Sequence, residues 1–192
     1  MSDVADRFVV ILDANVLYPF RMRDALFHFA EAGLFRARWS AEILQEWRTA
    51  LLKSKPLLAE SLASQMQAIE RVFPEACVEG YQDLIQALHL PDLNDRHVLA
   101  AAIVADAEHI ITENIKDFPE SAIAKYGIQA VTADDFLPST FELYPAEATA
   151  ALRMMRRNYE NPPLNPGEFI FDLQTKGMPK LASMVKQHID VI

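Results

Sequence analysis

One cysteine, Cys77, is all the thiol this sequence has, which excludes an internal disulfide framework and a thiolate metal cage. No apolar run approaches the roughly 20 residues that a membrane-spanning helix needs. The N-terminal MSDVADRF is polar, so no signal peptide is expected and the protein reads as cytoplasmic, without a membrane span. Positive charge is scarce: 18 Lys and Arg stand against 27 Asp and Glu, for a net charge of −9. That shortage counts against indiscriminate duplex binding, because phosphate neutralisation supplies most non-specific affinity. It is compatible with a cluster of metal-binding carboxylates beside local basic patches. No Ser-His-Asp or Cys-His arrangement is visible. His28, His89, His109 and His188 form no metal-ligand spacing, and His97, two residues after Asp95, is expected to point elsewhere on its helix.

With 192 residues, 51% of them hydrophobic, the chain can bury a sizeable core and fits one domain with an appendage. Phe8-Val9-Val10-Ile11-Leu12 is an unbroken apolar run closed by Asp13, as suits a parallel strand buried on both faces. A helix is expected over 21–34, a short strand over 36–39, and a helix from an N-cap at Ser40 to about Leu52. Amphipathic spacing then predicts helices over 57–73 and 81–88, separated by Pro74. The central helix, about 94–107, is apolar nearly all round and should be buried. Short strands at 110–112 and 129–132 and helices near 121–126 and 134–141 follow. Alternating strands and helices argue for a three-layer α/β fold with a mainly parallel sheet. After Pro145, proline-punctuated helical segments (146–159, 167–176, 179–189) read as a helical extension. The expected division is therefore a domain over 1–141 and an extension over 142–192.

Oxygen ligands recur at strand ends and helix starts. Asp13 closes the first strand and Asn15 follows it, where ligands bind in open parallel sheets, although Asp-Ala-Asn alone also fits a polar turn. Glu46 falls at the margin of its helix's apolar face; taken alone, a surface ion pair is the more ordinary explanation, and Glu42 reads as a first-turn acid favoured by the helix dipole. Asp95 stands at the mouth of the central helix, where an ordinary N-cap is the plain alternative, with Asp92 and Asn94 nearby. Thr112, Asn114 and Asp117 follow the next strand. Such carboxylates crowded together are costly unless a cation holds them, and hard oxygen donors suit Mg²⁺ or Mn²⁺. Arg21 and Arg23 could meet phosphates at the rim, and Arg153, Arg156 and Arg157 share one face of the extension; a solvated surface is the default for both groups.

The segments LDANVLYP, WSAEILQEW, LNDRHVLAAAI and ITENIKDFP resemble the successive motifs of PIN-domain nucleases, most closely the VapC-like toxin branch, over about residues 7–140. The resemblance implies an α/β/α PIN-like fold and a Mg²⁺- or Mn²⁺-dependent endoribonuclease. Asp13, Glu46 and Asp95 match acidic ligands, Asn114 and Asp117 the fourth position, and Asn15 and Thr112 supporting positions. Many family members have Asp where this chain has Asn114. The resemblance further implies an RNA substrate, a cognate antitoxin and a homodimer formed through helices near 57–73 or the N-terminal half. A catalytically weak PIN-like scaffold and an RNA-processing nuclease without an antitoxin are the alternatives.

Overall fold

The computed structural model describes residues 7–192. Along the chain run β1 (Val9–Leu12), α1 (Ala14–Leu17), α2 (Phe20–Glu31), β2 (Arg36–Ser40), α3 (Ala41–Ser54), α4 (Ala59–Val72), β3 (Cys77–Val78), α5 (Arg96–Val104), β4 (His109–Ile111), α6 (Glu120–Ile123), β5 (Gln129–Val131), α7 (Ala133–Leu143), α8 (Pro145–Arg157), α9 (Pro166–Thr175) and α10 (Pro179–Lys186). Two compact units emerge: one holds the chain up to Tyr18 and Arg36–Val131, the other Pro19–Phe35 and Thr132–Ile192.

The first unit is built on a five-stranded sheet in the order β3-β2-β1-β4-β5, and every pairing in it is parallel. The buried run of β1 makes it the central strand, with Val10, Ile11 and Leu12 wholly inaccessible. α5 packs against β1, β2 and β4. Its first residues follow a tight turn, Leu93–Asp95, whose cap is Asp92: the Asp92 carboxylate accepts the Asn94 N–H at 2.9 Å. Ser40 caps α3 as expected, its Oγ accepting the Ile43 N–H at 3.1 Å. Where 81–88 was expected to be an α-helix, the chain forms a 3₁₀ helix at Gln82–Ala87. β3, two residues long, carries too short a pattern to stand out in the sequence.

The second unit is helical. α2 buries Met22, Ala25, Leu26 and Phe29 and packs with α8, while α9 and α10 contribute Phe169, Leu173, Leu181 and Val185 to the interior. Asn165 and Glu168 form a reciprocal capping box on α9. Asp134 accepts the backbone N–H groups of Lys180 and Leu181 at 2.9 and 3.0 Å, which ties α7 to the start of α10. The division expected at 141/142 falls inside α7, so the compact units are drawn differently. Two causes combine: α2 is distant from the extension in sequence but packs with it, and Leu143 continues the helix that buries Phe136, Leu137 and Phe141. Among the described residues no helix is long and apolar enough to cross a membrane.

Candidate active site

Strand order places the switch of topology between β1 and β4: from β1 the chain builds outward through β2 and β3, then returns to the other side of β1 with β4 and β5. The crevice beyond the carboxyl ends of these two strands is where such sheets bind ligands. Leu12 pairs with Ile111, so the next residues, Asp13 and Thr112, meet there. The Asp13 N–H donates to the Ile111 carbonyl at 3.1 Å, and the Thr112 N–H to the Val131 carbonyl at 3.0 Å.

Both residues are buried, Asp13 at 5% exposure and Thr112 at 0%. The Thr112 hydroxyl donates to Asp13 Oδ2 at 2.8 Å, and Asn15 Nδ2 donates to the same oxygen at 2.6 Å. Asn15 Nδ2 also donates to Thr112 Oγ1 at 2.9 Å, while its carbonyl accepts the Glu113 N–H at 3.0 Å. Thr112 Oγ1 accepts the Asn114 N–H as well, at 3.1 Å. One carboxylate oxygen is thus fixed by an amide and a hydroxyl that are themselves tied to both strand ends. Asp13 stands at the N-cap of α1 but makes no side-chain capping bond. The polar-turn explanation leaves the link across to Thr112 unaccounted for.

Asp95 is part-buried at the N-cap of α5 and likewise makes no side-chain capping bond. Asp92, one turn earlier, is the capping acid. The Asp95 carboxyl is pushed up to about 6, chiefly by burial and then by the negative charges of Asp13, Asp92 and Asp117, with His97 opposing. Asp13 is also raised, by burial first and by Glu46 further down; the Thr112 hydroxyl, the Ala14 N–H and His97 pull the other way. Charge thus links Asp95 to Asp13 and Asp117, and Asp13 to Glu46. Asn114 is exposed in the loop between β4 and the Ile115–Asp117 turn. No three His, Cys, Asp or Glu among the described residues form a ready-made metal cage. The donor set itself (carboxylates and an amide, without thiol) is that of a hard divalent cation.

His97 is not among the site residues expected from the sequence. Its side chain is 4% exposed, and Nε2 lies 3.0 Å from Glu46 Oε1. Its Nδ1 has no hydrogen-bond partner and stands 3.8 Å from Glu42 Oε2. The expectation that His97 points away assumed an ideal helix through Asp95. Asp95 instead ends the preceding tight turn, and regular helical spacing begins only at Arg96. A usable signal was present, since a helix buried all round must bury its histidine, and a buried imidazole needs a partner. The partner is Glu46, whose side chain is 46% exposed, at the margin of α3 as its spacing predicted. Glu42 does lie in the first turn of α3, and it also accepts the Tyr81 hydroxyl at 3.4 Å.

The arginines lie in the second unit with internal partners. Arg21 pairs with Asp172 and sits 3.9 Å above the Tyr159 ring. Arg23 is 6% exposed, with its guanidinium 5.3 Å from the Phe20 ring centroid. Arg156 Nη1 donates to the Leu164 carbonyl at 2.7 Å, and Arg153 Nε to the Val191 carbonyl at 2.5 Å.

A parallel α/β unit with an acidic, oxygen-lined crevice at its switch point is the class that fold and site define. Residues 9–116 match the PIN domain family, and residues 133–187 match the VapC50 C-terminal domain. A curated relative, the putative ribonuclease VapC50 of Mycobacterium tuberculosis, is 34% identical over 134 residues, covering 70% of this chain and 78% of that protein. The chain belongs to the PIN-domain family, in its VapC-like branch. No solved structure matches it at a significant level.

Proposed function

We propose that this chain is a Mg²⁺- or Mn²⁺-dependent endoribonuclease and the cytoplasmic toxin of a type II toxin–antitoxin pair. The observation that carries the reading is the Asp13 carboxylate: buried, fixed through Oδ2 by Asn15 and Thr112, and near enough to Asp95 for its charge to add to the burial that raises that carboxyl. Carboxylates held this way at a strand-end crevice favour a cation over mutual repulsion. Kinship to a putative ribonuclease supports RNA as the substrate.

Asp13, Glu46, Asp95, Asp117 and the Asn114 amide are the residues that would hold the metal. Bound there, it supplies Lewis-acid neutralisation of the phosphate and lowers the pKa of the attacking water. Asn15 and Thr112 keep Asp13 in one orientation, so the ligand is in place before substrate arrives. Asn114 brings no charge to the fourth position and leaves more of the neutralising burden on Asp117. Of the two arginines expected near phosphate, Arg21 is the more exposed, with a side chain 21% exposed. Leu57, just before α4, and Val72, its last residue, are exposed at 99% and 47% and support a partner or second copy on that side of the first unit.

The test is cleavage of single-stranded and structured RNA with Mn²⁺, Mg²⁺ or EDTA, beside Asp13→Asn. Cleavage that needs both metal and Asp13 is expected. Bound Mn²⁺ without cleavage of any RNA tried would point to narrow specificity, no Mn²⁺ binding at all would favour the scaffold reading, and stable co-purification with the product of an adjacent short reading frame would separate toxin from processing enzyme.

A further inference from the structure

His97 is neither a candidate metal ligand nor part of the Asp13 triangle, yet it is among the most buried polar groups of the first unit. Asp95 stands at the N-cap of α5, and His97 is buried two residues on. The imidazole lies between two acids on one face of α3, Glu46 on its Nε2 and Glu42 near its Nδ1. A half-exposed glutamate on a helix surface ordinarily samples many rotamers, and ordering it has an entropic cost. The contact to a buried ring, whose own orientation is set by packing, removes that freedom.

We propose that His97 is a positioning residue that holds Glu46 at the cation site by the Nε2–Oε1 hydrogen bond. The proposal rests on the metal-site reading above. His97 donates from Nε2 to Glu46 Oε1, which would leave Oε2 available to a cation, and the link joins α3 to the start of α5 beside Asp95. Groups that orient a ligand in this way typically change metal affinity 10–100-fold when removed.

The experiment is Mn²⁺ titration, by calorimetry or by loss of the free-ion electron paramagnetic resonance signal, on the full chain. His97→Gln keeps a donor near the reach of Nε2, whereas His97→Asn places its amide near Nδ1 and cannot reach Glu46. His97→Asn should weaken Mn²⁺ binding ten- to hundredfold, and His97→Gln should recover most of it. In a Glu46→Ala background, His97→Asn should cost nothing further. Wild-type affinity in His97→Asn, or an equal loss with and without Glu46, overturns the proposal while leaving the metal site standing. No Mn²⁺ uptake by the wild-type protein overturns both. Should His97→Asn fail to fold, ¹⁵N resonances of the His97 ring in the unmodified protein decide: a shift on saturation with Mg²⁺ is expected, and an unmoved Nε2 signal at saturation refutes the link.

Discussion

Replacing Asp95 by Asn should stabilise the metal-free protein. The Asp95 carboxyl is raised from 3.8 to about 6, mainly by burial and then by Asp13, Asp92 and Asp117. The folded state therefore holds its proton more tightly than the unfolded chain, and stability contributed by the protonated form is present below 3.8 and lost as pH rises through about 6. A shift of about two units at 1.36 kcal/mol each sets a ceiling near 3 kcal/mol. Asp95 is only part-buried, so solvent screening brings this to about 1–2 kcal/mol. For a chain of this size that is a rise of about 2–8 °C in Tm. Thermal unfolding in EDTA at several pH values is the assay. Asp95→Asn should melt higher than wild type at pH 8, with the gain shrinking below pH 6 and vanishing toward 3.8. Saturating Mn²⁺ should reverse the order, because only the wild type keeps the charge. An unchanged or lower Tm for the variant at pH 8 in EDTA would refute the reasoning, as would a gain that ignores pH.

Thr112→Val removes a hydroxyl that serves Asp13, Asn15 and the Asn114 N–H at once; a loss of about 1–3 kcal/mol in denaturant unfolding is expected, the cost of buried polar groups left unpaired. Asn114→Asp adds a charged ligand at the fourth position and should tighten Mn²⁺ binding about tenfold by calorimetry, the scale on which ligand charge tunes cation sites. Unchanged affinity would place Asn114 outside the site. Deleting 142–192 removes α8, against which α2 packs, and uncovers buried Leu26 and Phe29 at about 1.5–3 kcal/mol each. The truncated chain should aggregate on size exclusion; a monodisperse 1–141 fragment would show that α2 needs no cover.

The centre of the sheet was legible because β1 is buried on both faces: Val9–Leu12 carries no polar residue until Asp13, and that residue marks where the strand ends. Ser40 was legible by cap chemistry. The site residues could be named because Asp13, Asn15 and Thr112 sit at strand ends, where register alone decides what meets. Their mutual bonds were not legible, since the pairing of Leu12 with Ile111 spans almost a hundred residues. His97 was lost to an assumption about helical phase, and the grouping of α2 with the C-terminal helices is a long-range packing event with no local signature. Asp92 and Asp95 could not be told apart in the sequence as caps. In the structure the tight turn at Leu93–Asp95 uses Asp92 for its cap, and Asp95 makes no capping bond.

The central claim is that Asp13, Asp95 and Asp117 share one cation. Anomalous diffraction from crystals of the wild-type chain grown with Mn²⁺ tests it most directly. A manganese peak is expected among these three carboxylates beyond the ends of β1 and β4, lost in Asp13→Asn. Manganese bound elsewhere, or a crevice left empty at saturating Mn²⁺, would contradict it.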